Sequence, residues 1–251
     1  MSRLLIKMRS KQSSAYEMEY NYHIQGLIYR LLRGSIYDGH DNQGYKFFCF
    51  SNIFPFNDLR KNDLRNLIVS SPNSEFVAYL HQQLCYDNNI DIGNMRFKVD
   101  YCDRLNVTIP SHNQSFSLIT GTPIITRIRK QKYEGIEQLK SYEYVYWRMD
   151  HPIDLFITQL EDNLIKKYND YFGSNIERQP IFERCKFMKQ VSTRLRMGAN
   201  HCKQATLIGT TWEFFFEEAN PLIQFALDAG LGELGSMGFG FMNLREGREY
   251  N

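Results

Sequence analysis

The spacing of apolar residues divides the chain into alternating strand-like and helix-like stretches. Residues 3–8 (RLLIKM) read as a first strand. Ile24, Leu27, Ile28, Leu31 and Leu32 then follow at i, i+3, i+4, i+7 and i+8, one stripe of an amphipathic helix. Gly34 marks its end, since glycine takes the left-handed turn that closes helices. The polar, glycine-containing segment 35–44 reads as a loop and 46–54 (KFFCFSNIF) as a strand. A second helix fits 76–85, with Val77, Leu80 and Leu84 on its buried side. A further strand has room at 67–70, and 95–105 alternates apolar and polar residues. This succession is the outline of a ferredoxin-like unit.

The pattern then starts again. Residues 115–129 are strand-like, and 153–168 form a strong helix with Ile157, Leu160, Leu164 and Tyr168 on one side. Residues 187–197 alternate, with Phe187, Val191, Leu195 and Met197 on one face. An aromatic strand at 206–216 precedes a short helix at 222–229, opened by Pro221 in a favoured first-turn position. A glycine-rich loop and a last strand at 239–244 follow. The expected class is α+β: two tandem ferredoxin-like domains, residues 1–110 and 111–251, joined near 106–114, with a C-terminal glycine-rich loop. The repeat lies in element order, not in sequence.

Composition is that of an ordered globular chain, with 43% hydrophobic and 23% charged residues. The net charge of +2 is unevenly spread. Residues 184–203 hold six basic side chains and no acidic one, and subtracting those six leaves −4 on the rest. Such a stripe fits phosphate-backbone binding, and a solvated strand face carries the same pattern. The five cysteines are scattered without a C-x-x-C pair, which fits a reducing, cytoplasmic setting. The start, MSRLLIKMRSK, is too charged for a signal peptide, and no apolar run approaches the ~18–20 residues that span a bilayer.

The segment 230–240, GLGELGSMGFG, contains Gly230, Gly232 and Gly235 in the G-x-G-x-x-G spacing of dinucleotide sites. That fingerprint needs a strand before it and a helix after it, and a strand follows here instead. The glycines still require a reason, because each gives up backbone entropy on folding. A tight turn and the close approach of a phosphate-sugar backbone both supply one.

With one short strand after it, this glycine segment resembles the signature of the CRISPR-associated repeat-processing endoribonucleases, which are built from ferredoxin-like domains. Residues 20–29, ending in G-L-I-Y, resemble that family's first helix, and 117–130 (SLITGTPIITRIRK) the strand that opens its second domain. In many members a tyrosine, a histidine and a lysine cleave RNA without a metal. By resemblance those positions are Tyr29, His40 and Lys46. The implied partners are CRISPR repeat RNA and other proteins of a CRISPR effector complex, with the chain as monomer or homodimer, no membrane and no cofactor. A non-catalytic RNA-holding subunit from the same superfamily is the alternative.

Metal-free RNA cleavage needs a proton taken from the 2′-hydroxyl, one given to the 5′-oxygen, and a cation at the phosphate. Imidazole suits the proton transfer, since its pKa of ~6.5 lies near working pH. The carboxylates of Asp38 and Asp41 favour the protonated form of His40. Tyr29 falls ~140° around the helix from Ile24, off the core stripe, so its hydroxyl is free to face the loop that carries His40. An ammonium at Lys46 would meet the developing charge. Singly, each reads first as a core-edge tyrosine, a solvated histidine and a surface lysine; only the resemblance ties them together. For binding, Lys186, Gln190, Ser192, Arg194 and Arg196 share one strand face. With Gly230, Gly232, Gly235, Gly238 and Gly240 they form the expected RNA-backbone contact. No H-E-x-x-H, clustered Cys/His set, P-loop or G-x-S-x-G elbow is present.

Overall fold

A computed structural model describes residues 2–38, 44–110, 114–133, 143–197 and 203–246. Two compact units emerge. The first comprises Met1–Thr108 with Arg194–Ala205 and Gly235–Gly238; the second comprises Ile109–Thr193, Thr206–Leu234 and Phe239–Asn251.

In the first unit, β1 (Ser2–Ser10), α1 (Tyr20–Leu32), β2 (Cys49–Phe50), β3 (Leu64–Ser71), α2 (Ser74–Tyr86), β4 (Asn89–Ile92) and β5 (Met95–Asn106) follow one another. The sheet order is β2-β3-β1-β5-β4, with antiparallel pairing throughout. This is the ferredoxin-like βαββαβ arrangement with β4 added at one edge. Alternation along β1 sends Leu4, Ile6 and Met8 into the core. The helix stripe meets them with Ile24, Leu27, Ile28 and Leu32, while Leu31 is only partly covered. Burying a leucine or isoleucine fully contributes ~1.5–3 kcal/mol, so these two stripes fix how α1 lies on the sheet. Helix α1 closes at Gly34 with φ +75°, and α2 opens on Asn73, whose Oδ1 accepts from the Glu75 and Phe76 amides.

The expected strand at 46–54 shrinks to Cys49–Phe50. Side-chain hydroxyls interrupt it on both sides: Ser71 Oγ–H donates to the Phe47 carbonyl at 2.6 Å, and the Ile68 amide donates to Ser51 Oγ at 2.9 Å, after which pairing resumes only as a bridge between Phe54 and Asn66.

The second unit contains β6 (Phe116–Thr120), β7 (Ile124–Ile125), β8 (Arg127–Arg129), β9 (Tyr144–Tyr146), α3 (Ile153–Phe172), β10 (Cys185–Met197), β11 (Lys203–Phe216), α4 (Pro221–Ala229) and β12 (Met242–Glu246). Its main sheet runs β10-β11-β6-β12, a second ferredoxin-like order, so the tandem α+β fold holds. The core centres on Trp212 stacked against Phe156, ring centroids 4.6 Å apart. Phe156 takes the buried place on α3 that the sequence assigned to Ile157, which is half-covered. The stretch 115–129 is three strands, not one. At Gly121 and Thr122 both amides turn to the Phe241 carbonyl, and the chain then re-pairs with β11. The last strand starts at Met242, because Gly240 (φ +70°) bends the residues before it out of the ladder. No helix among the described residues is long and apolar enough to cross a membrane.

Candidate functional site

Opposite its core stripe, α1 carries a second one. Tyr22, Gln25, Gly26, Tyr29, Arg30 and Arg33 lie at i, i+3, i+4, i+7, i+8 and i+11, and with Asp38 they line a cavity of about 330 Å³. The segment after the helix is held by short-range bonds. Gly34 N–H donates to Asp38 Oδ2 at 3.0 Å, Ser35 Oγ–H donates to the Leu32 carbonyl at 2.6 Å, and the Tyr37 hydroxyl reaches Glu75. Asp38 is thereby fixed at the rim.

Tyr29 is half-buried. Its ring meets Phe48 edge-on, centroids 6.0 Å apart, and Phe48 stacks on Phe76 of α2. Its hydroxyl is hydrogen-bonded to the Ser236 side chain. Ser236 Oγ also accepts from Gln25 Nε2 at 3.2 Å, and the buried Asn21 amide donates to the Met237 carbonyl at 2.7 Å. The turn Gly235–Met237 within the C-terminal glycine segment therefore docks along α1. Burial pushes the Tyr29 phenol above its ordinary value, with the Ser236 hydrogen bond opposing the rise. The phenol is then protonated at neutral pH, a hydrogen-bonding group and not a tyrosinate.

Lys46 is half-buried in irregular chain ahead of β2, not at a strand start, two residues before the Phe48 that meets Tyr29. His40 and Asp41 lie outside the described residues. On β10, Lys186, Gln190, Ser192 and Arg194 are exposed, whereas Phe187 packs on Trp147 and Trp212 and Leu195 is buried. The alternation read from sequence is therefore present; the side chain of Arg196 lies outside the described residues.

Gly230, Gly232, Gly238 and Gly240 are buried, and only Gly235 of the five is half-exposed. A β-carbon at Gly240 would stand 1.8 Å from the Leu231 carbonyl oxygen, and one at Gly238 would stand 2.2 Å from the Phe50 ring. At Gly232 it would meet the Ile125 oxygen at 2.6 Å. The close approach that demands glycine here comes from the protein's own chain.

Sequence reasoning missed a second cationic surface. Strands β8 and β9 form a ribbon that pairs Arg127 with Tyr146 and Arg129 with Tyr144. Both guanidiniums lie over the Tyr144 ring, at 6.0 and 5.8 Å, and Glu233 pins Arg127 through its amide and its Nε. The run RIRKQK at 127–132, with four basic residues and no acidic one, was the available signal.

The cavity on α1 thus brings the guanidinium-bearing side chains of Arg30 and Arg33, a residue type that suits bidentate phosphate contacts, together with the partly shielded Tyr29 phenol. A family profile described as "CRISPR associated protein Cas6, C-terminal" matches residues 106–244. The chain is 30% identical over 255 residues to "CRISPR-associated endoribonuclease Cas6 2" of Methanocaldococcus jannaschii, covering 96% of this chain and 98% of that one. It is 28% identical to "CRISPR-associated endoribonuclease Cas6" of Haloferax mediterranei, covering 97% and 94%. Among solved structures, "An RAMP protein binding different RNA substrates" superposes with a TM-score of 0.75 at 20% identity, covering 98% of this chain and 100% of that one. "CRISPR associated protein Cas6" gives 0.72 at 20% identity, covering 97% and 99%. The profile over residues 106–244 and the relatives across nearly the whole length agree, and the chain belongs to the Cas6 family of CRISPR-associated proteins.

Proposed function

We propose that the protein is an endoribonuclease that cuts precursor CRISPR RNA within its repeats, without a metal ion, by attack of a 2′-hydroxyl on the adjacent phosphodiester. The observation that carries this reading is the cavity on α1, where Tyr29, Arg30, Arg33 and Asp38 meet. Asp38 stands two residues before His40, the histidine that the resemblance assigns to proton transfer.

In this mechanism the 2′-oxygen bonds to phosphorus as the bond from phosphorus to the 5′-oxygen breaks. His40 gives its proton to the leaving oxygen. Tyr29, neutral because its phenol pKa is raised, orients the 2′-hydroxyl and takes its hydrogen bond while the proton leaves toward solvent. Lys46 meets the charge that develops on the phosphate. The products carry a 2′,3′-cyclic phosphate and a 5′-hydroxyl. The N-terminal domain supplies these catalytic residues. In the C-terminal domain, Lys186, Arg194 and Arg196 of β10 bind the RNA backbone. Within the glycine segment the RNA contact falls at Gly235, with Gly230, Gly232, Gly238 and Gly240 shaping the loop that presents it.

The test uses repeat RNA with a single 2′-deoxy nucleotide at the cut site and, separately, the His40→Ala protein. The modified RNA should stay intact, and wild type should cut unmodified RNA in excess chelator. His40→Ala should lower the cleavage rate by ~10²–10⁴-fold with RNA affinity little changed. Cutting of the 2′-deoxy RNA, or a His40→Ala rate equal to wild type, would refute the mechanism. Tight RNA binding with no cutting by wild type would place the protein among the RNA-holding members of the superfamily.

A further inference from the structure

Gly26 stands in the middle of α1, where glycine weakens a helix relative to alanine. Packing does not require it. Among the described residues, a β-carbon at Gly26 would meet no atom within 4 Å, and its backbone is not in the left-handed region. The contrast with the C-terminal glycines, whose absent side chains are replaced by the protein's own atoms, leaves open space as the feature that this glycine provides. That space belongs to the cavity edged by Tyr22, Gln25, Tyr29, Arg30 and Arg33. About 330 Å³ is near the lower end of the ~300–1,000 Å³ typical of small-molecule sites, which is room for one nucleotide and too little for a base pair. Its walls offer what a nucleotide needs. Tyr22 gives a ring for a base to pack on, Gln25 an amide edge, and Arg30 and Arg33 exposed guanidiniums for the flanking phosphates.

We infer that the hollow over Gly26 receives the single unpaired nucleotide whose 2′-hydroxyl attacks at the cut site, so that Gly26, Tyr22, Arg30 and Arg33 determine which RNA is accepted. The inference rests on the proposed cleavage reaction, because Tyr29 on the same wall sets which nucleotide enters. Residue 26 then acts as a size limit: a side chain there fills the hollow without disturbing the core on the other side of the helix.

The experiment measures the affinity of Gly26→Met and Gly26→Ala for repeat RNA made uncleavable by a 2′-deoxy at the cut site, together with each variant's melting temperature. Both variants should melt at or above the wild-type temperature. Gly26→Met should bind about tenfold more weakly, the scale of one lost base contact, and Gly26→Ala less so. An RNA abasic at the attacking nucleotide should lose affinity for wild type and lose no more for Gly26→Met. Should Gly26→Met fail to fold, Gly26→Ala with the abasic RNA gives the same comparison. Wild-type affinity in the folded variants, or equal further losses with abasic and intact RNA, would overturn the inference. Because the readout is binding, wild type that binds but does not cut would sink the cleavage reading alone and leave the hollow to be judged on affinity.

Discussion

Gly26 and Gly240 are the same residue used for opposite ends. At Gly26 the missing side chain leaves open space, while at Gly240 it makes way for the Leu231 carbonyl, 1.8 Å from where a β-carbon would stand. Four glycines of the C-terminal segment, Gly230, Gly232, Gly238 and Gly240, are buried with positive φ, so they hold a fold that other residues resist. Gly26 lies on the exposed face of a regular helix and holds nothing. A glycine-rich signature is readily taken for a ligand cradle. In this molecule its glycines mostly serve internal packing, and a glycine that lines a cavity, Gly26, stands in a helix distant from the motif in sequence.

Substitution at Gly240 should strike hardest at that contrast. Gly240→Ala forces a methyl group onto a backbone oxygen at φ +70°, and we expect a loss of ~3–5 kcal/mol in unfolding free energy. Denaturant unfolding measures it, and a loss under ~1 kcal/mol would show that the segment relaxes freely. Gly238→Ala should cost somewhat less, ~2–4 kcal/mol, since the obstacle is the Phe50 ring and not backbone. Adding Phe50→Leu should recover ~1 kcal/mol of that, a favourable coupling that a double-mutant cycle reads directly. Arg194→Ala should leave stability within ~0.5 kcal/mol, weaken RNA binding, and lower the slope of log affinity against log salt by about 0.7. An unchanged slope at low salt would place the RNA elsewhere. The smallest effect has the opposite sign: Gly26→Ala should raise stability by ~0.5–1 kcal/mol, and a destabilised protein would mean that Gly26 is packed after all.

How much was legible followed from how local each cause is. The stripe Ile24, Leu27, Ile28 and Leu32 was readable because helical period alone puts those side chains together, and the two βαββαβ successions followed from it. The strand at 46–54 was overcalled because six of its nine residues are apolar, and nothing in the pattern announces that the Ser51 and Ser71 hydroxyls engage backbone groups there. Tyr29 stands off the main stripe, and its ring packs at the edge of the core against Phe48. Its partner was invisible, since no local pattern joins it to Ser236 far along the chain. The ribbon of β8 and β9 escaped for a third reason: three-residue strands carry too little alternation to register, although the basic run inside them was in plain view.

The bond between Gln25 and Ser236 joins residues 211 positions apart. During synthesis at ~5–20 residues per second, roughly ten to forty seconds pass between the emergence of the one and of the other. Through that interval helix α1 exists without the turn that steadies Gln25 and Tyr29. A nascent or prematurely terminated polypeptide therefore lacks a finished pocket, and the ribosome's own timetable withholds the completed site until the late segment has been made.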